Sequence, residues 1–175
     1  MKLKNLLVAG LLAAGASAAF AENINQSVAL VPAAGQPGSF SAGWGVTHLQ
    51  AGVFTDTFTF TGGTTAGFVS SALVSIGFSP NTNINFTSAT INGQAYSLTT
   101  GALELAQFNL AAFNGPLSIV VTGVAAPTFA TGTAIAASYA GTVNVSPVPE
   151  METLAMMLAG LGVVGTVGRR RMMKS

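Results

Sequence analysis

Cysteine is absent from the chain, which excludes disulfides, thiolate metal ligation and a cysteine nucleophile and leaves packing alone to hold an exported form together. Positive charge is nearly as scarce. The six Lys and Arg residues all lie near the two ends, as Lys2, Lys4, Arg169, Arg170, Arg171 and Lys174. None falls between Glu22 and Pro149. A domain without cations cannot neutralise phosphates, so nucleic-acid binding by counterion release is excluded and anionic substrates are disfavoured. Charged residues make up only 6% of the chain, and the middle keeps Glu22, Asp56, Glu104 and the lone His48. Its surface must therefore be built from Thr, Ser, Asn, Gln and Gly. Such a surface is weakly protected against self-association, because net charge is what ordinarily keeps proteins apart.

The two ends carry different information. Met1–Ala21 has Lys2 and Lys4, an apolar core from Leu6 to Ala14 and a small-residue finish at Ala19-Phe20-Ala21, the layout of a secretory signal peptide read by signal peptidase. Cleavage is expected after Ala21, and Ala16-Ser17-Ala18 offers a second legal site. At the other end, Thr153–Gly168 is apolar and uncharged. At ~1.5 Å per residue it would reach only about 24 Å as a helix, which suits a temporary membrane anchor better than a permanent one. Arg169, Arg170 and Arg171 after it keep the tail cytoplasmic and place everything before the helix outside.

Pro149-Glu150, the apolar LAMMLAGLG stretch and the terminal arginines together resemble the PEP-CTERM sorting signal of Gram-negative bacteria, also labelled the ice-binding-protein C-terminal domain. Met151 stands where that motif usually has a second proline. The resemblance implies an exosortase substrate, held briefly in the inner membrane, cut near Pro149-Glu150 and passed to the cell surface or matrix of an organism that makes exopolysaccharide and biofilm.

Between the signals, residues 22–146 suffice for one domain, with 147–175 as linker, membrane helix 153–168 and basic tail. Short Val/Ile/Phe/Thr runs broken by Gly, Asn and Pro recur every ~8–12 residues, the spacing of an all-β sandwich or barrel. Strands are expected near Ser27–Val31, Ser39–Leu49, Val53–Thr61, Phe68–Phe78, Asn83–Ile91, Gln94–Thr99, Leu103–Asn109, Leu117–Val124 and Ala134–Val145. Asn92-Gly93 has the composition of a two-residue type I′ hairpin turn, and Asn114-Gly115-Pro116 marks a second break. Leu103–Phe108 also reads as a short helix that Ala111–Phe113 would extend. The fold expected is a single β-sandwich, jelly-roll or immunoglobulin-like, flanked by a signal helix and a transmembrane helix.

Strict alternation over Val53–Phe60 puts Phe54, Asp56, Phe58 and Phe60 on one face and the threonines on the other. A carboxylate among aromatics is costly unless it is paired or hydrogen-bonded. With no Lys or Arg nearby, it must find backbone N–H groups, hydroxyls, a protonated His48, a cation, or exposure at the rim. A role in pinning a loop or turn is the leading expectation; a calcium site, which wants several oxygens and more than one carboxylate, could recruit only Glu22 and Glu104. Phe54-x-Asp56-x-Phe58 also resembles the motif of the FxDxF family of PEP-CTERM proteins, which implies an exported β-rich protein without an assigned activity.

Other chemistry is open but thin. His48, Asp56 and a serine could form a triad, yet no G-x-S-x-G or H-E-x-x-H motif accompanies them. Asp56 and Glu104 could serve as a glycosidase pair if about 5–10 Å apart. Trp44, Tyr96 and Tyr139 could stack on sugars in a module for the exopolysaccharide, or pack in the core. The function expected is a surface or extracellular-matrix protein without catalytic activity or cofactor. Carbohydrate binding and glycan cleavage stand as alternatives.

Overall fold

The computed structural model describes residues 21–63, 66–147 and 155–164. Expectations for Ala19, Pro149, Glu150 and Arg169–Arg171 fall outside these. The described chain is mostly strand: β1 (Asn25–Ala29), β2 (Val31–Pro32), β3 (Phe40–Gln50), β4 (Gly52–Thr61), β5 (Ala66–Ile76), β6 (Ile84–Ile91), β7 (Gln94–Ala95), β8 (Ser97–Leu98), β9 (Leu103–Asn114), β10 (Leu117–Ala125) and β11 (Ala134–Ser146). One short helix, α1, covers 155–164, and its residues are exposed. Of the span expected at 153–168 this is the described part, and no described helix is long and apolar enough to cross a membrane.

The strands form a five-stranded sheet ordered β1-β4-β10-β6-β7 and a six-stranded sheet ordered β2-β3-β11-β5-β9-β8. Pairing is antiparallel except for β1, which runs parallel to β4. Alternation sets the faces. On β4, Phe54, Asp56, Phe58 and Phe60 are buried while Val53, Thr55, Thr59 and Thr61 are exposed, as the period of two demands. On β11, Ile135, Ala137, Tyr139, Val143 and Val145 turn inward. The inward rows of the two sheets meet in one cluster, with the Trp44 ring on β3 lying 3.9 Å from the Phe58 ring on β4. Burying each such phenylalanine is worth about 1.5–3 kcal/mol.

Turns follow their residues. Asn92 and Gly93 have φ of 46° and 80°, both positive as a type I′ turn requires, and they join Ile91 to Gln94. The Asn92 side chain adds a tie, accepting from the Ser118 N–H at 2.8 Å and donating to the Pro116 carbonyl at 3.1 Å.

Three expectations need revision. Ser27–Val31 is not one strand: β1 and β2 belong to different sheets, with Leu30 between them. Gln94–Thr99 is likewise split at buried Tyr96, so that β7 and β8 lie in opposite sheets. The helical reading of Leu103–Phe108 is replaced by a strand that runs on to Asn114. Its register against β5 shifts between Val69 and Ser71, and the bulge moves burial from Glu104, Ala106 and Phe108 to the odd positions Ala111 and Phe113. An extra residue in a strand breaks the period of two, which is why this segment mimicked a helix.

Candidate functional site

Asp56 is 0% exposed, so a seat at the sheet's rim is ruled out. Its carboxylate is met by three groups from three parts of the chain. Oδ1 accepts the backbone N–H of Ile24 at 2.8 Å. Oδ2 accepts the Tyr139 hydroxyl at 2.5 Å and lies 3.0 Å from His48 Nε2. Asp56 stands on β4 in one sheet, while His48 on β3 and Tyr139 on β11 stand in the other. The segment before β1 is held by two further bonds: the Thr55 N–H donates to Asn23 Oδ1 at 2.7 Å and the Thr57 N–H to the Ile24 carbonyl at 2.8 Å. The carboxylate thus ties both sheets and the entering chain at one point.

Aromatic rings seal the cluster. His48 stacks on Phe54 at 4.1 Å between centroids, and Phe86 meets Tyr139 edge-on at 5.4 Å. Burial first, and then the hydrogen bond and negative charge of Asp56, push the Tyr139 phenol well above its usual pKa. It therefore stays protonated and donates. His48 Nδ1 is buried with no hydrogen-bond partner among the described residues. The Nε2–H tautomer fits this setting, because it donates to Asp56 and leaves only a lone pair unmet rather than an orphaned N–H.

This arrangement answers the chemistry raised by the sequence. A His–Asp pair does exist, but His48 Nδ1 has no serine on it, and neither member reaches solvent. Among the described residues no group of three His, Asp or Glu could hold a metal ion. The two carboxylates weighed as a glycosidase pair, Asp56 and Glu104, are both buried. Glu104 sits on β9 at one end of the molecule, where its carboxylate lines a cleft to which Asp56 does not contribute. It accepts the Phe86 N–H at 2.5 Å. Burial pushes its pKa up, against the backbone N–H groups of Phe86 and Gly101, which pull it down.

The proposed sugar-stacking rings are core residues. Trp44, Tyr96 and Tyr139 are 7%, 7% and 3% exposed, so none offers a face to a ligand. Phe54 and Phe58 are buried beside Asp56, and the motif's three residues form one inward row on β4. The sequence reading named His48, backbone N–H groups and hydroxyls as the kinds of partner, and all three are present; it did not name Tyr139 or Ile24. Tyr139 was available from the inward alternation of β11, whereas the Ile24 amide carries no side-chain signal at all.

Compared with models of known protein families, with curated proteins and with solved structures, the chain finds no match in any of the three.

Proposed function

We propose that this chain is an exported, non-catalytic component of a cell surface or extracellular matrix: a single all-β sandwich carried out by a signal peptide and anchored for a time by its C-terminal segment until an exosortase removes it. The observation that carries the reading is the placement of charge. Within residues 21–147, Asp56, Glu104, His48, Tyr96 and Tyr139 are all buried, and Glu22 alone among the ionisable side chains is exposed. A surface so neutral presents hydroxyls and amides to its surroundings and resists packing against its own kind only weakly. That suits a layer built with uncharged polymers. Helix α1 adds support, because Met156, Met157, Leu158 and Leu161 are exposed on it, and water disfavours that surface where a bilayer would accept it.

The test is mass spectrometry of both termini of the mature protein, in cells with and without the exosortase. Loss of the arginine-ended tail only when the enzyme is present is the expected result; an intact tail on protein from enzyme-containing cells would refute the processing step. The N-terminus is informative too. Ala21 is buried in the core cluster, so a cut after Ala18, which retains Ala21, preserves packing that a cut after Ala21 would delete. The mature chain is expected to begin at Ala19.

A further inference from the structure

The end of the molecule that holds Glu104 is built differently from the rest. Three connections converge there: 77–83 between β5 and β6, 99–102 between β8 and β9, and 126–133 between β10 and β11. They are braced against one another. The Gly77 N–H donates to the Ala102 carbonyl at 2.9 Å, and the Ala126 N–H donates to the Asn83 carbonyl at 2.7 Å. Within the first connection, Thr82 Oγ1 donates to the Ser79 carbonyl at 3.0 Å. Ala126 is held at φ 47°, a left-handed conformation that costs a non-glycine residue roughly 1–2 kcal/mol and persists only where its surroundings impose it. Between the loops lies a cleft of about 700 Å³, within the usual ~300–1,000 Å³ of small-molecule sites.

The lining has a particular chemistry. Phe78 at the mouth is 88% exposed, an aromatic ring that the fold leaves uncovered. Asn83 donates through Nδ2 to Asn85 Oδ1 at 2.7 Å, which orients both amides and leaves the Asn85 NH₂ to meet a ligand. Thr87 and Thr128 add hydroxyls to the wall, and the Glu104 carboxylate lies buried beneath it. No cation of the domain is available to hold an anion.

We propose that this cleft binds a neutral oligosaccharide segment, with Phe78 stacked on a sugar face and Asn85 hydrogen-bonded to ring hydroxyls. Sugars present an apolar C–H face and a polar hydroxyl edge, which is the pairing of surfaces the cleft offers. The site is distinct from Trp44, Tyr96 and Tyr139, all of which are buried. Its existence does not depend on export; export decides only which polymer it would meet.

The test is calorimetric titration of the full chain with uncharged hexasaccharides of β-1,4-glucose, α-1,4-glucose, β-1,4-mannose and β-1,4-N-acetylglucosamine. At least one is expected to bind, and Phe78→Ala and Asn85→Ala are each expected to weaken it about tenfold or more, equal to about 1.4 kcal/mol. Both side chains are exposed, so the variants should unfold at the same urea concentration as the parent, which separates lost contact from lost fold. Leu110→Ala, at an exposed site on β9 outside the cleft lining, should leave affinity unchanged. Binding by none of the four sugars, or affinity that survives Phe78→Ala, would overturn the proposal. So would preferential binding of oligolysine that is lost in Glu104→Gln, since that would assign the cleft to cations. Any of these failures leaves the termini of the mature protein as they are, so the two readings fail separately.

Discussion

The Tyr139 hydroxyl donates to Asp56 Oδ2 at 2.5 Å across the space between the two sheets, joining residues separated by 83 positions in the chain. In that space a carboxylate without a cation partner would ordinarily be a liability. Here the Ile24 amide, the Tyr139 hydroxyl and His48 Nε2 replace the water it lost. The inward F-x-D-x-F row of β4 thus reads as a structural device: two rings seal a charge that fixes where the chain enters and how the sheets sit.

Removing that charge should be expensive. Asp56→Ala would orphan three partners at once, two of them buried, and breaking a buried polar network of this kind costs about 3–5 kcal/mol. Asp56→Asn keeps the shape and one acceptor but turns an NH₂ toward donors, for a loss of about 1–3 kcal/mol. Tyr139→Phe deletes one hydrogen bond to a charged acceptor, about 1.5–3 kcal/mol. Urea denaturation of the three variants measures the order; an Asp56→Ala protein within about 1 kcal/mol of the parent would contradict the pinning role.

Much of this architecture was legible in the sequence because it rests on local chemistry. The alternation of Val53–Phe60 gave the faces of β4, and Asn92-Gly93 gave the β6–β7 hairpin, since positive φ at two successive positions suits those residues. The bulge in β9 was not legible, because one extra residue makes Leu103–Phe113 look aperiodic while the backbone remains extended. Nor were the splits at Leu30 and Tyr96, where a single buried residue carries the chain from one sheet to the other. Beyond His48, the partners of Asp56 depended on which distant segments face β4, and residue spacing does not encode that. Of the two readings open for Trp44, Tyr96 and Tyr139, core packing is the one their burial supports; for Trp44 and Tyr139 the period of two points the same way.

Close approach between neighbouring strands of the six-stranded sheet makes a second prediction. Gly141 on β11 pairs with Trp44 on β3, and a Cβ at Gly141 would lie 2.5 Å from Trp44 Cζ2 and 2.7 Å from Cε2. Gly141→Ala should therefore cost about 1–3 kcal/mol through overpacking. Trp44→Phe removes the ring atoms that clash, so the double variant should lose less than the sum of the two single ones, with a coupling of about 0.5–3 kcal/mol. Strict additivity in denaturation would show that the glycine is not there to admit the indole.

Glu104 gives the fold a pH dependence that can be isolated. Burial raises its pKa above the ordinary 4.5, and the Phe86 and Gly101 amides only partly offset this. The folded state therefore keeps the proton to higher pH than the unfolded chain does, and stability falls with rising pH wherever the folded state binds more protons. The sign is opposite to that of a salt-bridged carboxylate. The favourable contribution of the protonated group is complete below 4.5 and is lost as pH climbs from there through the raised value. Glu104→Gln retains an acceptor for the Phe86 N–H but has no proton to release. Subtracting its unfolding free energy from that of the parent, from about pH 4 to about pH 7, removes the background common to both proteins and leaves the linkage of this one group. The difference should decline toward neutral pH. A difference that is flat, or that grows with pH, would mean that the amides of Phe86 and Gly101 outweigh burial and that the carboxylate is held ionised in the folded protein.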